Sequence, residues 1–289
     1  MTPQTVSCQD VLARIAALGA QFNPDVLAQT RAAIEALAGE GASQHGSVSE
    51  AYGDHPRQQI DIYTPDGRER PVLLYVPGGG FVSGDKSGYR RLGNYFAANG
   101  YLTLIGNYRL APEVQWPAGA EDVAAMIDWA ARQASRLGGD PSKIFVFGQS
   151  AGATHAAGAL FDPDLRPRSM AAVRAAVLAS GIYRITPADS ESGITRYFSA
   201  DTTTYPQRSP LTHAGRSELP LLLVVAEYDP VFLGQPTLEL ASAVYTRAGS
   251  CPPLIRLCGH NHVSYVLGIG TAVDDLGPQV LQFLGDQAS

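Results

Sequence analysis

Lys143-Ile-Phe-Val-Phe-Gly-Gln-Ser-Ala-Gly-Ala-Thr-His-Ala-Ala-Gly-Ala-Leu160 changes character twice within eighteen residues. Ile144–Phe147 is apolar throughout, as a strand buried on both faces of a sheet must be. Gly148-Gln-Ser-Ala-Gly152 is a turn of small residues, and Ala151–Leu160 can begin a helix directly after it. A Gly-x-Ser-x-Gly turn between strand and helix is the setting of a nucleophile elbow, in which a sharp, strained bend exposes the serine hydroxyl. Gly148 and Gly152 then lack side chains because strand and helix pass close together. The competing reading is a small-residue turn without chemistry. The five residues alone do not separate the two, whereas the flanking strand and helix favour the elbow.

Outward from this stretch, apolar runs of strand length alternate with helical ones. Strands are expected at Gln59–Tyr63, Val72–Val76, Leu102–Gly106, Ile144–Phe147, Ala175–Ala179, Leu221–Val225 and Leu254–Leu257. Helices are expected at Tyr89–Asn99, Ala118–Arg136, Ala151–Leu160, Pro236–Arg247 and Ala272–Leu284. Such alternation argues for an α/β domain with a parallel central sheet and right-handed crossovers. Two stretches break the pattern. The first 40 residues read as two short helices. The second of these starts at Asn23-Pro24-Asp25, a cap followed by proline at the first helical position, and ends near Gly39–Gly41. Gly181–Leu219 has no clear period and reads as an excursion above the sheet, functional or hiding short helices. Residues 1–289 are expected to form one domain, with 1–45 as a helical cap and 181–219 covering the site.

Composition narrows the chemistry. The 289 residues are 45% hydrophobic and 17% charged with a net charge of −6, which fits a globular chain and lacks the basic footprint of a nucleic-acid binder. No nucleic-acid partner is expected. Cys8, Cys251 and Cys258 form no metal or disulfide pattern, and a reducing compartment fits them. The N-terminal stretch lacks the basic region of a signal peptide, and no apolar run approaches membrane-spanning length, so a cytoplasmic protein with no membrane association is expected. An exposed edge strand or a terminal helix would allow a homo-oligomer, though no residue specifies one.

A serine hydroxyl is a weak nucleophile and needs a base. Of the six histidines, His45 and His55 precede the main strand series, His155 reads as a packing residue, and His213 lies in the excursion. His260 and His262 follow directly after the last expected strand, at the carboxyl end where open α/β sheets place their sites. The orienting acid should precede that histidine in the chain. Asp229, with Glu227 as understudy, ends the strand Leu221–Val225 and its turn, although Asp-Pro after a strand is also ordinary turn chemistry. Val76-Pro-Gly-Gly-Gly-Phe81 follows another strand and lets backbone approach a substrate closely, as an oxyanion loop requires. A phosphate loop is disfavoured, because no Gly-Lys-Ser/Thr follows and the glycine spacing is wrong. A metal at His260 and His262 lacks a third ligand.

Taken together, Pro77-Gly-Gly-Gly-Phe81, Asn107-Tyr-Arg-Leu-Ala-Pro-Glu113, Gly148-Gln-Ser-Ala-Gly-Ala153, Glu227-Tyr-Asp-Pro230 and Gly259-His-Asn-His-Val-Ser264 resemble the hormone-sensitive-lipase-like carboxylesterase group of α/β-hydrolases, near its bacterial esterase and arylformamidase-like branch. The resemblance spans roughly residues 50–285. It implies a mostly parallel sheet with helices on both faces, and a serine esterase without cofactor or metal. It also implies Ser150 as nucleophile, Asp229 as acid and His262, preferred over His260, as base. The N–H groups of Gly79, Gly80 and Ala151 would hold the oxyanion. The 107–113 segment would shape a loop beside the site. Two departures stand out: Pro77 replaces the usual first histidine of the glycine loop, and Gln149 stands where relatives often carry Asp. Phe81, Val82, Gln149, Tyr197, Phe198, Val231 and Phe232 are the candidate walls for substrate, with Tyr183 and Tyr205 as further candidates. With no visible basic cluster, the expected partner is a small, largely uncharged ester. An arylformamidase or amidase, a serine acyltransferase and a non-catalytic ligand-binding homologue are the alternatives.

Overall fold

A computed structural model describes residues 7–37, 47–215 and 217–288. Its centre is one eight-stranded sheet of order β1-β2-β4-β3-β5-β6-β7-β8. The strands are β1 (Val48–Ala51), β2 (Gln59–Tyr63), β3 (Arg70–Val76), β4 (Leu102–Gly106), β5 (Gly139–Gln149), β6 (Val173–Ala179), β7 (Leu221–Tyr228) and β8 (Leu254–Asn261). β1 and β2 run antiparallel to their neighbours, and every pairing from β4 to β8 is parallel. β1 was not expected. Val-Ser-Glu-Ala is short and mostly exposed at the sheet edge, so it carries neither an apolar run nor a clean alternation.

Eleven α-helices are described. α1 (Cys8–Leu18) and α2 (Pro24–Glu35) form the N-terminal pair, and the expected end of the second near 39–41 lies outside the described residues. Ser7 and Asp10 close a capping box on α1, and the Asn23 side chain caps α2. α3 (Arg90–Ala98), α4 (Ala118–Gln133) and α5 (Ala151–Phe161) follow β3, β4 and β5. The excursion hides α6 (Gly193–Phe198), α7 (Tyr205–Arg208) and α8 (Pro210–Ala214). α9 (Val231–Ala248), α10 (Ser264–Leu267) and α11 (Gly277–Ala288) complete the chain.

Two helix starts differ from expectation. α9 begins at Val231, with Pro236 inside it rather than opening it. Pro236 is the sixth residue of this eighteen-residue helix, so it forfeits the N–H that would donate to the Phe232 carbonyl. α11 begins at Gly277 rather than Ala272, because Asp274 takes the Gly277 N–H and turns the preceding residues into a loop.

Alternate residues of the buried strands face opposite layers. Val72, Leu74, Val146 and Leu178 pack under α4, α5 and α9; Leu73, Tyr75, Phe147 and Val177 pack under α3, α10 and α11. α1 and α2 dock at the β8 edge through Val11, Ile15, Ala33 and Ile34 against Val273. Among the described residues, no helix is long and apolar enough to cross a membrane.

Candidate active site

The bend after β5 is as tight as its glycines imply. A Cβ on Gly148 would meet the Ala153 Cα at 2.6 Å, and one on Gly152 would meet the Val76 carbonyl oxygen at 2.1 Å. Ser150 stands between them at φ 56°, a conformation that costs a side-chain-bearing residue about 1–3 kcal/mol. The bend is held because the Ser150 N–H donates to the Ala179 carbonyl at 2.8 Å and its own carbonyl accepts from the Thr154 N–H.

β5, β7 and β8 end side by side with β6, and their carboxyl ends bring three side chains into line. His262 Nε2 lies 2.8 Å from Ser150 Oγ, and His262 Nδ1 lies 2.8 Å from Asp229 Oδ1. Ser150 and His262 are buried, and so is the side chain of Asp229. The second carboxylate oxygen of Asp229 accepts the Ala226 N–H and the Ser180 hydroxyl, both at 2.7 Å. The Tyr265 hydroxyl in turn donates to Ser180. Neither Ser180 nor Tyr265 was singled out from sequence; the available signal was position, since Ser180 directly follows β6. Glu227 is turned elsewhere, accepting the Gly259 N–H and pairing with Arg256.

His260 is not in this line. It closes β8, with Nδ1 3.0 Å from Ser264 Oγ and Nε2 3.2 Å from an Asp275 carboxylate oxygen. Burial lowers its pKa, partly opposed by Asp275. The two imidazoles therefore contact different partners. Among the described residues, no group of three His, Cys, Asp or Glu is placed to hold a metal.

The glycine loop without its usual histidine is braced from several sides. The Tyr108 hydroxyl donates to the Pro77 carbonyl at 3.1 Å, and the Arg57 guanidinium donates to the carbonyls of Tyr108 and Gly84. The Gly79 carbonyl accepts the Ser83 N–H and hydroxyl. Gly79 is confined as well as braced, since a Cβ there would meet the Ser83 carbonyl oxygen at 2.0 Å. Tyr108 belongs to the 107–113 segment, where Asn107 also joins Asp85 to the Lys86 N–H. The ammonium of neighbouring Lys86 pairs with Asp61. Among the described residues, the N–H groups of Gly79, Gly80 and Ala151 have no acceptor.

Several expected substrate walls are core. Phe81, Tyr197 and Phe198 are fully buried together: the Phe81 and Tyr197 rings stack at 5.2 Å and 7°, and Phe198 meets both edge-on. Aromatic type in an irregular stretch signals a large apolar side chain but not which way it faces. Tyr183 and Tyr205 are buried too. Gln149 is also buried, and its amide donates to the His262 carbonyl at 2.9 Å, so it braces the histidine loop rather than lining a pocket. Val82 is half-buried, while Val231 and Phe232 stand exposed at the start of α9. The excursion reaches the glycine loop through Gly193, whose missing side chain leaves room for the Gly80 carbonyl. Phe22, which sequence reasoning missed, puts its ring 5.0 Å from the His262 imidazole.

A cavity of about 290 Å³ lies between α2, α3 and α10, and none of Ser150, Asp229 and His262 lines it. Arg31, Arg90 and Arg91 gather there with Glu35, a basic grouping that the linear sequence does not display.

His155 is enclosed by Phe81, Tyr108 and Tyr197, with Nε2 unpartnered among the described residues. Burial pushes its pKa down to about 3. The unfolded chain binds this proton near pH 6.5 and the folded chain does not, so stability falls as pH drops from about 6.5 towards 3. The expected slope is up to about 1.4 kcal/mol per pH unit from this residue alone. His155→Leu should flatten the dependence, as thermal unfolding of both proteins between pH 7 and pH 4 will show; identical slopes would refute it.

Comparison with known proteins agrees with this architecture. A family model described as the alpha/beta hydrolase fold matches residues 73–238. Esterase LipC of Mycobacterium tuberculosis is 40% identical over 106 residues, covering 35% of this chain and 26% of that protein. Esterase LipQ of the same organism is 31% identical over 202 residues, covering 62% of this chain and 48% of that protein. The match thus spans about a quarter to a half of these relatives' length. The solved hyperthermophilic esterase of Pyrobaculum calidifontis superimposes with a TM-score of 0.73 at 25% identity, covering 99% of both chains. With the sheet order, the elbow and a family match over more than half its length, the chain belongs to the alpha/beta hydrolase fold family.

Proposed function

We propose that the protein is a serine carboxylesterase acting on small, short-acyl esters. The observation that carries this reading is the unbroken line from Ser150 Oγ through His262 to Asp229, at 2.8 Å for each contact. His262 Nε2 takes the Ser150 proton as Oγ attacks the ester carbonyl. Asp229 fixes the imidazole tautomer and stabilises the imidazolium without taking the proton. The tetrahedral oxyanion is held by the N–H groups of Gly79, Gly80 and Ala151, each worth about 3–4 kcal/mol on the barrier. His262 then protonates the departing alcohol. Water, deprotonated by the same nitrogen, attacks the acyl-enzyme and releases the acid. The esterase relatives support the reaction class, and the apolar surroundings support an uncharged acyl group. α1–α2 and the excursion act as the cover of the site in this reading. Three unpaired cysteines fit a reducing, cytoplasmic setting.

The test is labelling with a fluorophosphonate followed by peptide mass analysis, beside turnover of short p-nitrophenyl esters and N-formylkynurenine. The expected result is stoichiometric modification of Ser150 and hydrolysis of the esters. Label elsewhere, or none with no turnover, refutes the reading; preference for the formamide moves the protein to the arylformamidases.

A further inference from the structure

We infer that Phe22 and Phe232 form the wall that receives the alcohol half of the ester, so that esters of aromatic or extended apolar alcohols are preferred. The inference rests on the ester-hydrolysis reading above. The nitrogen that takes the Ser150 proton must return it to the leaving oxygen, so the alcohol departs beside the His262 ring. Whatever packs there meets the alcohol rather than the acyl group. Phe22 packs there, at 5.0 Å and 88° to the imidazole, and Phe232 meets Phe22 at 6.1 Å and 73°. The two rings are 38% and 49% exposed, and neighbouring Val231 is 75% exposed. Their exposure distinguishes them from Phe81, Tyr197 and Phe198, which cover one another completely. Two open aromatic surfaces at the point of departure suit an aromatic leaving group, since edge-to-face and offset ring contacts are attractive beyond the area they bury.

Phe22 is held in place for this. It lies in the short connection between α1 and α2, directly before the capping Asn23. α2 is tied to the histidine loop by the Asn261 amide, which donates to the Thr30 hydroxyl at 2.8 Å in a buried contact. The N-terminal pair thus delivers one aromatic ring to the imidazole, and the start of α9 delivers the other.

The experiment compares ethyl, benzyl and naphthylmethyl butyrates on the wild type, Phe22→Ala, Phe22→Leu and Phe232→Ala. The acyl group is constant, so every ester passes through the same butyryl-enzyme, which no longer carries the alcohol. The wild type should favour benzyl over ethyl in kcat/KM, and the ratio should fall about tenfold in Phe22→Ala, with Phe232→Ala moving the same way. The loss should lie in acylation. Equal losses for every alcohol, or matching losses in acylation and deacylation, would mean that Phe22 only steadies His262, and would overturn the inference. So would an unchanged ratio. Thermal midpoints of the variants separate a misfolded protein from an altered wall, and Phe232→Ala tests that wall from a different helix. A wild type inactive on all esters would sink the parent reading instead, an outcome distinct from an active enzyme with no alcohol preference.

Discussion

Ser150→Ala should reduce ester hydrolysis by about six orders of magnitude, the loss seen when the nucleophile of a serine hydrolase is removed. The residual rate would come from binding and the N–H groups of the glycine loop, worth about 10³–10⁴ over water. The change should spare the fold. The Ser150 hydroxyl has His262 as its partner, and alanine inherits the same backbone conformation at φ 56° with no larger side chain to place. Steady-state rates on p-nitrophenyl acetate and butyrate, with thermal unfolding alongside, check both halves. Activity within tenfold of wild type would remove Ser150 from the mechanism.

His262→Ala should cost nearly as much, because nucleophile and base act as a unit whose losses are not additive. His260→Ala provides the contrast. Its imidazole bonds Ser264 and Asp275, and Ser264 also receives the Asn261 N–H at 2.9 Å. Removing that ring leaves a cavity at a fully buried position, while the Ser264 hydroxyl keeps the Asn261 N–H and carbonyl as partners, so the variant should lose stability and lower turnover only through a looser histidine loop. Rates and unfolding midpoints of the two variants read this directly. A near-complete loss in His260→Ala with a mild effect in His262→Ala would exchange their roles.

What was legible in the sequence was local or ordered along the chain. The elbow could be read because its requirements fall within five consecutive residues: two glycines where backbones nearly touch, and a serine between them. Asp229 and the His260/His262 pair could be read because strand ends collect at one edge, whatever lies between them. The choice within that pair came from family resemblance, since two histidines two residues apart after one strand look alike in composition. What was not legible depended on side-chain direction or on distant partners. Phe81, Tyr197 and Phe198 announce bulk, and only the packing of one on another decides that they are core. Gln149 reads as a substitution beside the nucleophile, and its bond to the His262 carbonyl joins segments 113 residues apart. Phe22 meets a histidine near the other end of the chain. β1 failed for the opposite reason, as an exposed edge strand has no apolar signature to show.

The hydrogen bonds behind Asp229 form a closed circuit. Tyr265 lies on the helix that follows His262; its hydroxyl holds Ser180, Ser180 holds Asp229, and Asp229 holds His262. The path leaves the histidine loop and returns to it, while Gln149 pins that loop from β5. A linear chain of contacts can slacken one joint at a time. A circuit of fixed perimeter cannot, because moving any member strains the rest. Displacing either acid or base therefore strains the whole circuit, and the elbow shares that strain, because Gln149 beside the nucleophile holds the His262 carbonyl and the Ser150 N–H holds the Ala179 carbonyl next to Ser180.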